Sequence, residues 1–169
     1  MERILILGCA GAGKSVLARK MAAALSLPVI HLDRHYWRPG WIEPDESTWT
    51  AQIRNLVQQR TWIMDGNFSG TLPMRLTAAD TVIYLDLPTW VCILRVLLRT
   101  ATWFGRVRRD EFAPGCRERL NWAFLKDTWR YRRDYRPRVI AAMSNFSGRL
   151  LMLSGPKDVN TFLKHLRAV

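Results

Sequence analysis

Glycines, a lysine and a serine follow the pattern Gly-x4-Gly-Lys-Ser over residues 8–15. Glycine allows a tight backbone turn whose N–H groups can approach phosphate oxygens. In this pattern Lys14 reaches the terminal phosphates and the Ser15 hydroxyl can coordinate Mg²⁺. The pattern therefore predicts binding of a nucleoside triphosphate, ATP, together with Mg²⁺. The residues expected to contact the nucleotide are Gly8, Gly11, Ala12, Gly13, Lys14, Ser15 and Val16.

Three aspartates each end a short apolar run that is typical of a buried strand: Asp33, Asp65 and Asp86. Ligands of parallel sheets bind at the carboxyl ends of the strands, so these side chains are expected on the phosphate side. Asp65 is a candidate to hold Mg²⁺ through water; the alternative is a strand-end residue that begins a turn with Gly66. Asp33 is a candidate to orient or deprotonate an acceptor hydroxyl, or else a cap. Asp86 precedes Leu-Pro and is expected to cap a turn.

Positive charge is concentrated in one part of the chain. The net charge is +12, and residues 95–138 contain 13 Lys or Arg against 5 Asp or Glu. Such a cluster attracts nucleotide phosphates or a nucleic-acid backbone. Arg106 and Arg109 are the arginines expected to contact a transferring phosphoryl group. For any single arginine the alternative is a solvated basic face.

The elements that must position these residues alternate between short apolar strands and amphipathic helices. Five strands are predicted, at residues 4–7, 29–33, 62–67, 81–86 and 149–154, with a long helix from about 117 to 134. Strands alternating with helices require parallel pairing through right-handed crossovers. The predicted fold is a three-layer α/β/α sandwich with a five-stranded parallel sheet. We expect one domain over residues 1–169, with a lid-like basic insertion at about 104–117.

Composition favours a globular protein, with 49% hydrophobic and 24% charged residues. Charged residues interrupt every long apolar run, so no membrane span is expected. The three cysteines are scattered without metal-ligand spacing, which indicates a reducing compartment. We therefore expect a cytoplasmic protein without a membrane partner.

The sequence resembles the small P-loop kinases related to adenylate kinase and, more narrowly, the bacterial DNA topology modulation proteins. The resemblance implies strand order 2-3-1-4-5, an acceptor pocket between the second and third helices, and a mobile lid around Arg106. The segments that carry it are residues 8–15, 31–33, 36–37, 65–68, 115–119, 124–126 and Trp129.

Two functions fit these features. The first is ATP- and Mg²⁺-dependent phosphoryl transfer to a small molecule that is nucleotide- or nucleoside-like, with Arg75 contacting an acceptor anion. Tyr36, Trp37 and Trp41 are candidates to stack on an acceptor ring. The second is an ATP-binding, nucleic-acid-associated regulator that affects DNA topology through residues 95–138.

Overall fold

The sheet of the computed structural model, which describes residues 1–108 and 110–166, contains five parallel strands in the order β2-β3-β1-β4-β5. The three central strands are almost wholly buried apolar runs, as parallel strands covered on both faces must be. The predicted sheet and its strand order are confirmed. The strands are β1 (Arg3–Gly8), β2 (Val29–His31), β3 (Trp62–Asp65), β4 (Thr81–Leu85) and β5 (Arg149–Leu153).

Helices cover both faces of the sheet. One core contains Leu17 and Leu163, and the opposite core contains Trp49, Ile53 and Val139. This arrangement is the predicted three-layer sandwich. The helices in the described residues are α1 (Lys14–Leu25), α2 (Leu32–Tyr36), α3 (Glu46–Val57), α4 (Leu72–Ala78), α5 (Thr89–Trp103), α6 (Trp122–Asp134), α7 (Arg136–Met143) and α8 (Pro156–Leu166), with a 3₁₀ turn at Ser69–Thr71.

Several element boundaries differ from the prediction. The third strand ends at Asp65 instead of residue 67. The second strand ends at His31, so Asp33 lies in the first turn of α2. The helix predicted from residue 117 begins at Trp122, because the Asn121 side chain caps it by accepting from the Phe124 N–H at 3.1 Å. The residues before it pair with the preceding segment instead, since the Glu118 N–H donates to the Arg106 carbonyl at 2.8 Å.

The three cysteines, Cys9, Cys92 and Cys116, are buried free thiols. Free thiols are the usual state of cysteine in a reducing compartment. Within residues 1–108 and 110–166, no helix combines the length and the apolar character that crossing a membrane requires.

Candidate active site

The loop between β1 and α1 has the backbone that its sequence pattern predicts. Gly8, Gly11 and Gly13 have φ values of 138°, 79° and 101°, a region that side chains disfavour. A Cβ atom on Gly11 would lie 2.2 Å from the Cys92 carbonyl oxygen. The loop therefore needs glycine both for its conformation and for its close packing on α5. Helix α1 begins at Lys14, so the unpaired N–H groups of its first turn can bind an anion.

Lys14 and Asn67 both bind the start of this loop. The Lys14 Nζ donates to the carbonyl oxygens of Gly8 and Cys9, at 2.9 and 3.0 Å. The Asn67 side chain accepts from the Gly8 N–H at 3.2 Å and donates to the Gly8 carbonyl at 2.9 Å. Sequence analysis assigned Asn67 no role, although it follows the Asp65-Gly66 pair. It holds the loop from the neighbouring strand end, and is a positioning residue.

Asp65 lies where the strand order requires, beside the phosphate loop. It pairs in register with Ile6 of β1 and with His31 of β2. Its Oδ1 is 2.7 Å from the His31 Nδ1, and both side chains are largely buried. Burial lowers the pKa of His31, but the hydrogen bond and the negative charge of Asp65 outweigh it, and the net shift is upward. The pairing of β2 with β3 thus fixes the orientation of the Asp65 carboxylate.

Asp33 lines the same cleft from the first turn of α2. Burial raises the pKa of Asp33 to about 6, and the charge of Asp65 acts in the same direction. Lys14, Arg108 and Arg99 oppose this shift through their positive charges. A carboxylate with a pKa close to neutrality is suited to accept a proton during a reaction.

Aromatic side chains form the far end of the cleft. Trp37, Trp41, Phe68 and Phe112 all line it. The ring centroids of Trp37 and Trp41 are 5.4 Å apart, and those of Trp41 and Phe112 are 5.0 Å apart. The Trp41 indole N–H also donates to the Arg117 carbonyl at 3.0 Å. The loop after α2 and the basic insertion are therefore in direct contact over the cleft.

Ion pairs hold the basic insertion together. The buried Arg108 guanidinium donates to Glu118 at 3.1 Å, pairs with Glu111, and lies over the Phe112 ring at 4.5 Å. Arg99 of α5 reaches the same Glu118 at 3.5 Å. Glu111 connects the insertion to α1 through Arg19 at 2.8 Å. Arg19, Arg99 and Arg108 all line the cleft, and each is bound by a carboxylate of the insertion.

Of the two arginines that sequence analysis proposed for phosphoryl transfer, one can be located in the structure. Arg106 is exposed and does not line the cleft. Arg109 lies outside the described residues. The cationic side chains that do line the cleft are Lys14, Arg19, Lys20, Arg95, Arg99, Arg108 and Arg119.

Arg75 has a role different from the expected contact with an acceptor anion. Its side chain is 0% exposed. It donates to the carbonyls of Gly66, at 3.0 Å, of Asn67, and of Phe68, at 2.8 Å. Three carbonyls of one turn occupy the guanidinium, so Arg75 stabilises the loop that presents Asn67.

The cleft as a whole has a volume of about 1190 Å³. It runs from the β5–α8 junction at Gly155 and Pro156, past the phosphate loop, to the aromatic end. The glycine cradle, Lys14 and the N-terminus of α1 fit the phosphates of ATP, and Ser15 fits a Mg²⁺ ion that the phosphates also hold. The described residues contain no cluster of three or more His, Cys, Asp or Glu side chains able to hold a metal ion. Ser15 and Asp65, the residues that the sequence predicts to hold Mg²⁺ directly and through water, both line the cleft.

Several arginines of the basic region 95–138 are paired with carboxylates. Arg99 and Arg108 bind Glu118, and Arg136 binds Asp86 at 2.6 Å. The Asp86 carboxylate, expected to cap a turn, is thus half of an ion pair. The geometry gives no support to the predicted nucleic-acid contact.

No protein-family model matches the chain, and no curated protein matches its sequence. Solved kinases do share its fold. A shikimate kinase from Acinetobacter baumannii, solved with shikimate, is 15% identical with a TM-score of 0.60, covering 98% of this chain and 90% of its own. A gluconokinase from Sinorhizobium meliloti is 16% identical with a TM-score of 0.54, covering 99% and 90%. A deoxyadenosine kinase from M. mycoides, solved with dATP, is 15% identical with a TM-score of 0.54, covering 98% and 97%.

These similarities show a P-loop kinase fold. None of these three neighbours is a DNA topology modulation protein, so that resemblance stays a prediction from the sequence motifs.

Proposed function

We propose that this chain is an ATP- and Mg²⁺-dependent kinase that transfers a phosphoryl group to a small, nucleotide- or nucleoside-like molecule. The observation that carries the proposal is the single cleft joining the glycine loop and Lys14 to the Asp33 carboxylate and an aromatic end. Phosphoryl transfer needs positioning and charge neutralisation more than covalent help. A cleft with a phosphate cradle in its middle and a carboxylate beside it supplies both.

Each group in the cleft has a role under this proposal. Lys14 and the N–H groups of the loop bind the phosphates of the donor. Mg²⁺, when bound through Ser15 and the water shell of Asp65, would neutralise phosphate charge. Asp33 accepts the proton of the acceptor hydroxyl while that oxygen bonds to the γ-phosphorus of ATP and the bond from this phosphorus to the β–γ bridging oxygen breaks, which releases ADP.

We further propose that residues 104–117 act as a lid within one domain, and that Arg106 and Arg109 reach the phosphoryl group when the lid closes. In the described structure the insertion already touches the loop after α2 through Trp41, Phe112 and Cys116. The fold neighbours named as shikimate, gluconate and deoxyadenosine kinases support a small-molecule acceptor. The free thiols favour a cytoplasmic location.

Thermal unfolding with ATP and Mg²⁺, followed by a phosphoryl-transfer assay on an acceptor library, tests the proposal. A ligand that binds only the native state raises the midpoint by mass action. We expect an ATP-dependent rise that Lys14→Ala reduces, and transfer to at least one acceptor. ATP binding without transfer to any acceptor, accompanied by DNA binding that weakens steeply with salt, would instead favour the nucleic-acid-associated regulator.

A further inference from the structure

The charges around the cleft carry a further inference, which rests on the proposed kinase function: we infer that the phosphoryl acceptor is an uncharged molecule with a hydroxyl group and a flat ring. Nucleosides have this chemistry. Nucleoside monophosphates and hydroxy acids do not, because they bring a phosphate or carboxylate into the acceptor end of the cleft. This is the part lined by Asp33, Trp37 and Trp41.

The cleft is nearly balanced in charge although the chain is strongly basic. The chain carries a net charge of +12. Among the described residues that line the cleft, seven are Lys or Arg and six are Asp or Glu. A site that binds ATP must already devote cations to the triphosphate, so few remain for a second anion. The six acidic side chains are Asp33, Glu43, Asp65, Asp110, Glu111 and Glu118.

The cations nearest the acceptor end have protein partners. Arg108 is bound by Glu118 and Glu111, and Arg99 is bound by Glu118. Arg75, the side chain that sequence analysis assigned to an acceptor anion, is fully buried on backbone carbonyls. Removing any of these arginines from its partners to bind an anion would leave a largely buried carboxylate or carbonyl unpaired, which is unfavourable.

Four cations that line the cleft have no carboxylate partner in the described structure, and two of them bind the phosphate loop. Lys14 donates to the Gly8 and Cys9 carbonyls, and Arg95 donates to the Ala12 carbonyl at 3.2 Å. Both therefore lie at the donor phosphates. The other two, Lys20 and Arg119, are exposed, so water screens their charges.

Two carboxylates at the acceptor end favour a neutral, hydrogen-bond-donating ligand. The Asp33 carboxylate has no hydrogen-bond or ion-pair partner in the described structure, and Asp33 lines the cleft. Glu43 accepts from the Tyr36 hydroxyl at 3.0 Å and lines the same end. An anion here would be repelled by both, whereas hydroxyl and amino groups of a nucleoside could donate to them.

The aromatic lining supplies the contact for a flat ring. Trp37, Trp41 and Phe68 border the space next to Asp33. Stacking of a base on an aromatic side chain strengthens binding by roughly 5- to 150-fold. Flat faces beside carboxylates match a nucleoside, with a base to stack and ribose hydroxyls to present.

The test compares acceptors that share a ring and differ in charge. Each common nucleoside is assayed against its 5′-monophosphate, with shikimate and gluconate as anionic acceptors, at saturating ATP and Mg²⁺. We expect kcat/KM for one nucleoside to exceed that of its monophosphate by at least about 10-fold. Preference for a monophosphate or a carboxylate would overturn the inference and leave the kinase intact. Binding of ATP without transfer to any acceptor would overturn the kinase itself.

Two variants separate the contributions of charge and ring. Glu43→Lys adds a cation at the exposed rim of the acceptor end, so the nucleoside preference over its monophosphate should shrink several-fold, while Glu46→Lys on α3 leaves it unchanged. Trp37→Leu should raise the nucleoside KM and leave the ATP-induced thermal shift in place. Trp90→Leu, at an exposed position of α5 outside the cleft, is its matched control. An unchanged preference in Glu43→Lys, or an unchanged KM in Trp37→Leu, would contradict the assignment.

Discussion

Replacement of Asp33 by asparagine should stabilise the fold at neutral pH while it strongly lowers activity. Burial raises the pKa of Asp33 from 3.8 to about 6. This difference corresponds to about 3 kcal/mol of cost for holding the charge in the native state. Asp33 is only half-buried, so solvent screening reduces the expected gain of Asp33→Asn to about 1–2 kcal/mol.

The sign of the pH dependence follows from proton linkage. A carboxyl group whose pKa is higher in the folded than in the unfolded state binds more protons when folded, so stability falls as pH rises. For Asp33 the fall occurs between about pH 4 and pH 6, and the penalty is constant above that range. Urea unfolding of the wild type and Asp33→Asn should therefore coincide near pH 4 and diverge by pH 7.5. In the transfer assay kcat/KM of the wild type should rise with pH to a plateau above about 6, and Asp33→Asn should lose about 10²- to 10⁴-fold.

Asp45, the N-cap residue of α3, provides a control because its pKa is shifted in the opposite direction. Hydrogen bonds from the hydroxyls of Ser47 and Thr48 and from the Thr48 N–H hold the pKa of Asp45 below its usual range. Asp45→Ala should lose stability at neutral pH, with the difference from wild type closing as pH falls, and should keep its activity. The reasoning about Asp33 is refuted if Asp33→Asn is no more stable than wild type at pH 7.5, or if the difference is the same at pH 4.

Three further predictions concern the phosphate loop. Lys14→Ala should lower kcat by about 10²- to 10³-fold, the effect of removing one donor to developing charge, and should leave the urea midpoint near that of wild type; a collapsed midpoint would mean a structural role. Asn67→Leu should cost about 1–3 kcal/mol of stability because the Gly8 amide and carbonyl lose their side-chain partner, and should weaken ATP in the thermal-shift assay. Gly11→Ala should destabilise the fold by more than about 2 kcal/mol, since its Cβ would overlap a carbonyl oxygen, whereas Gly70→Ala, with nothing within 4 Å, should be close to neutral in the same assay.

The sheet and the phosphate loop could be predicted because their signals are local. Four or five consecutive apolar residues before a glycine-rich turn define β1 and the loop without knowledge of any partner. The boundaries were less accurate where a local pattern competes with a distant contact. Residues 117–121 look helical in sequence, yet Glu118 is drawn out of the helix by Arg108 and by the Arg106 carbonyl.

The contacts that hold the site residues in position could not be predicted from local sequence pattern. His31 and Asp65 are 34 residues apart and Asn67 and Gly8 are 59 apart, and each pair meets through strand pairing or strand order alone. The contacts of Arg75 could not be predicted from local sequence pattern either. An arginine after a strand end suggests an anion site, but only the path of the chain reveals that three carbonyls surround it.

The distribution of charge explains why the composition alone pointed toward nucleic acid. A count along the sequence treats the surplus of positive charge in residues 95–138 as one surface. In the fold, Asp86 neutralises Arg136 from 50 positions away, and Glu118 takes up two arginines from different elements. The pairing of Arg99 and Arg108 with Glu118 also occupies two of the cations that line the cleft. This pairing thus argues for an uncharged acceptor within the cleft.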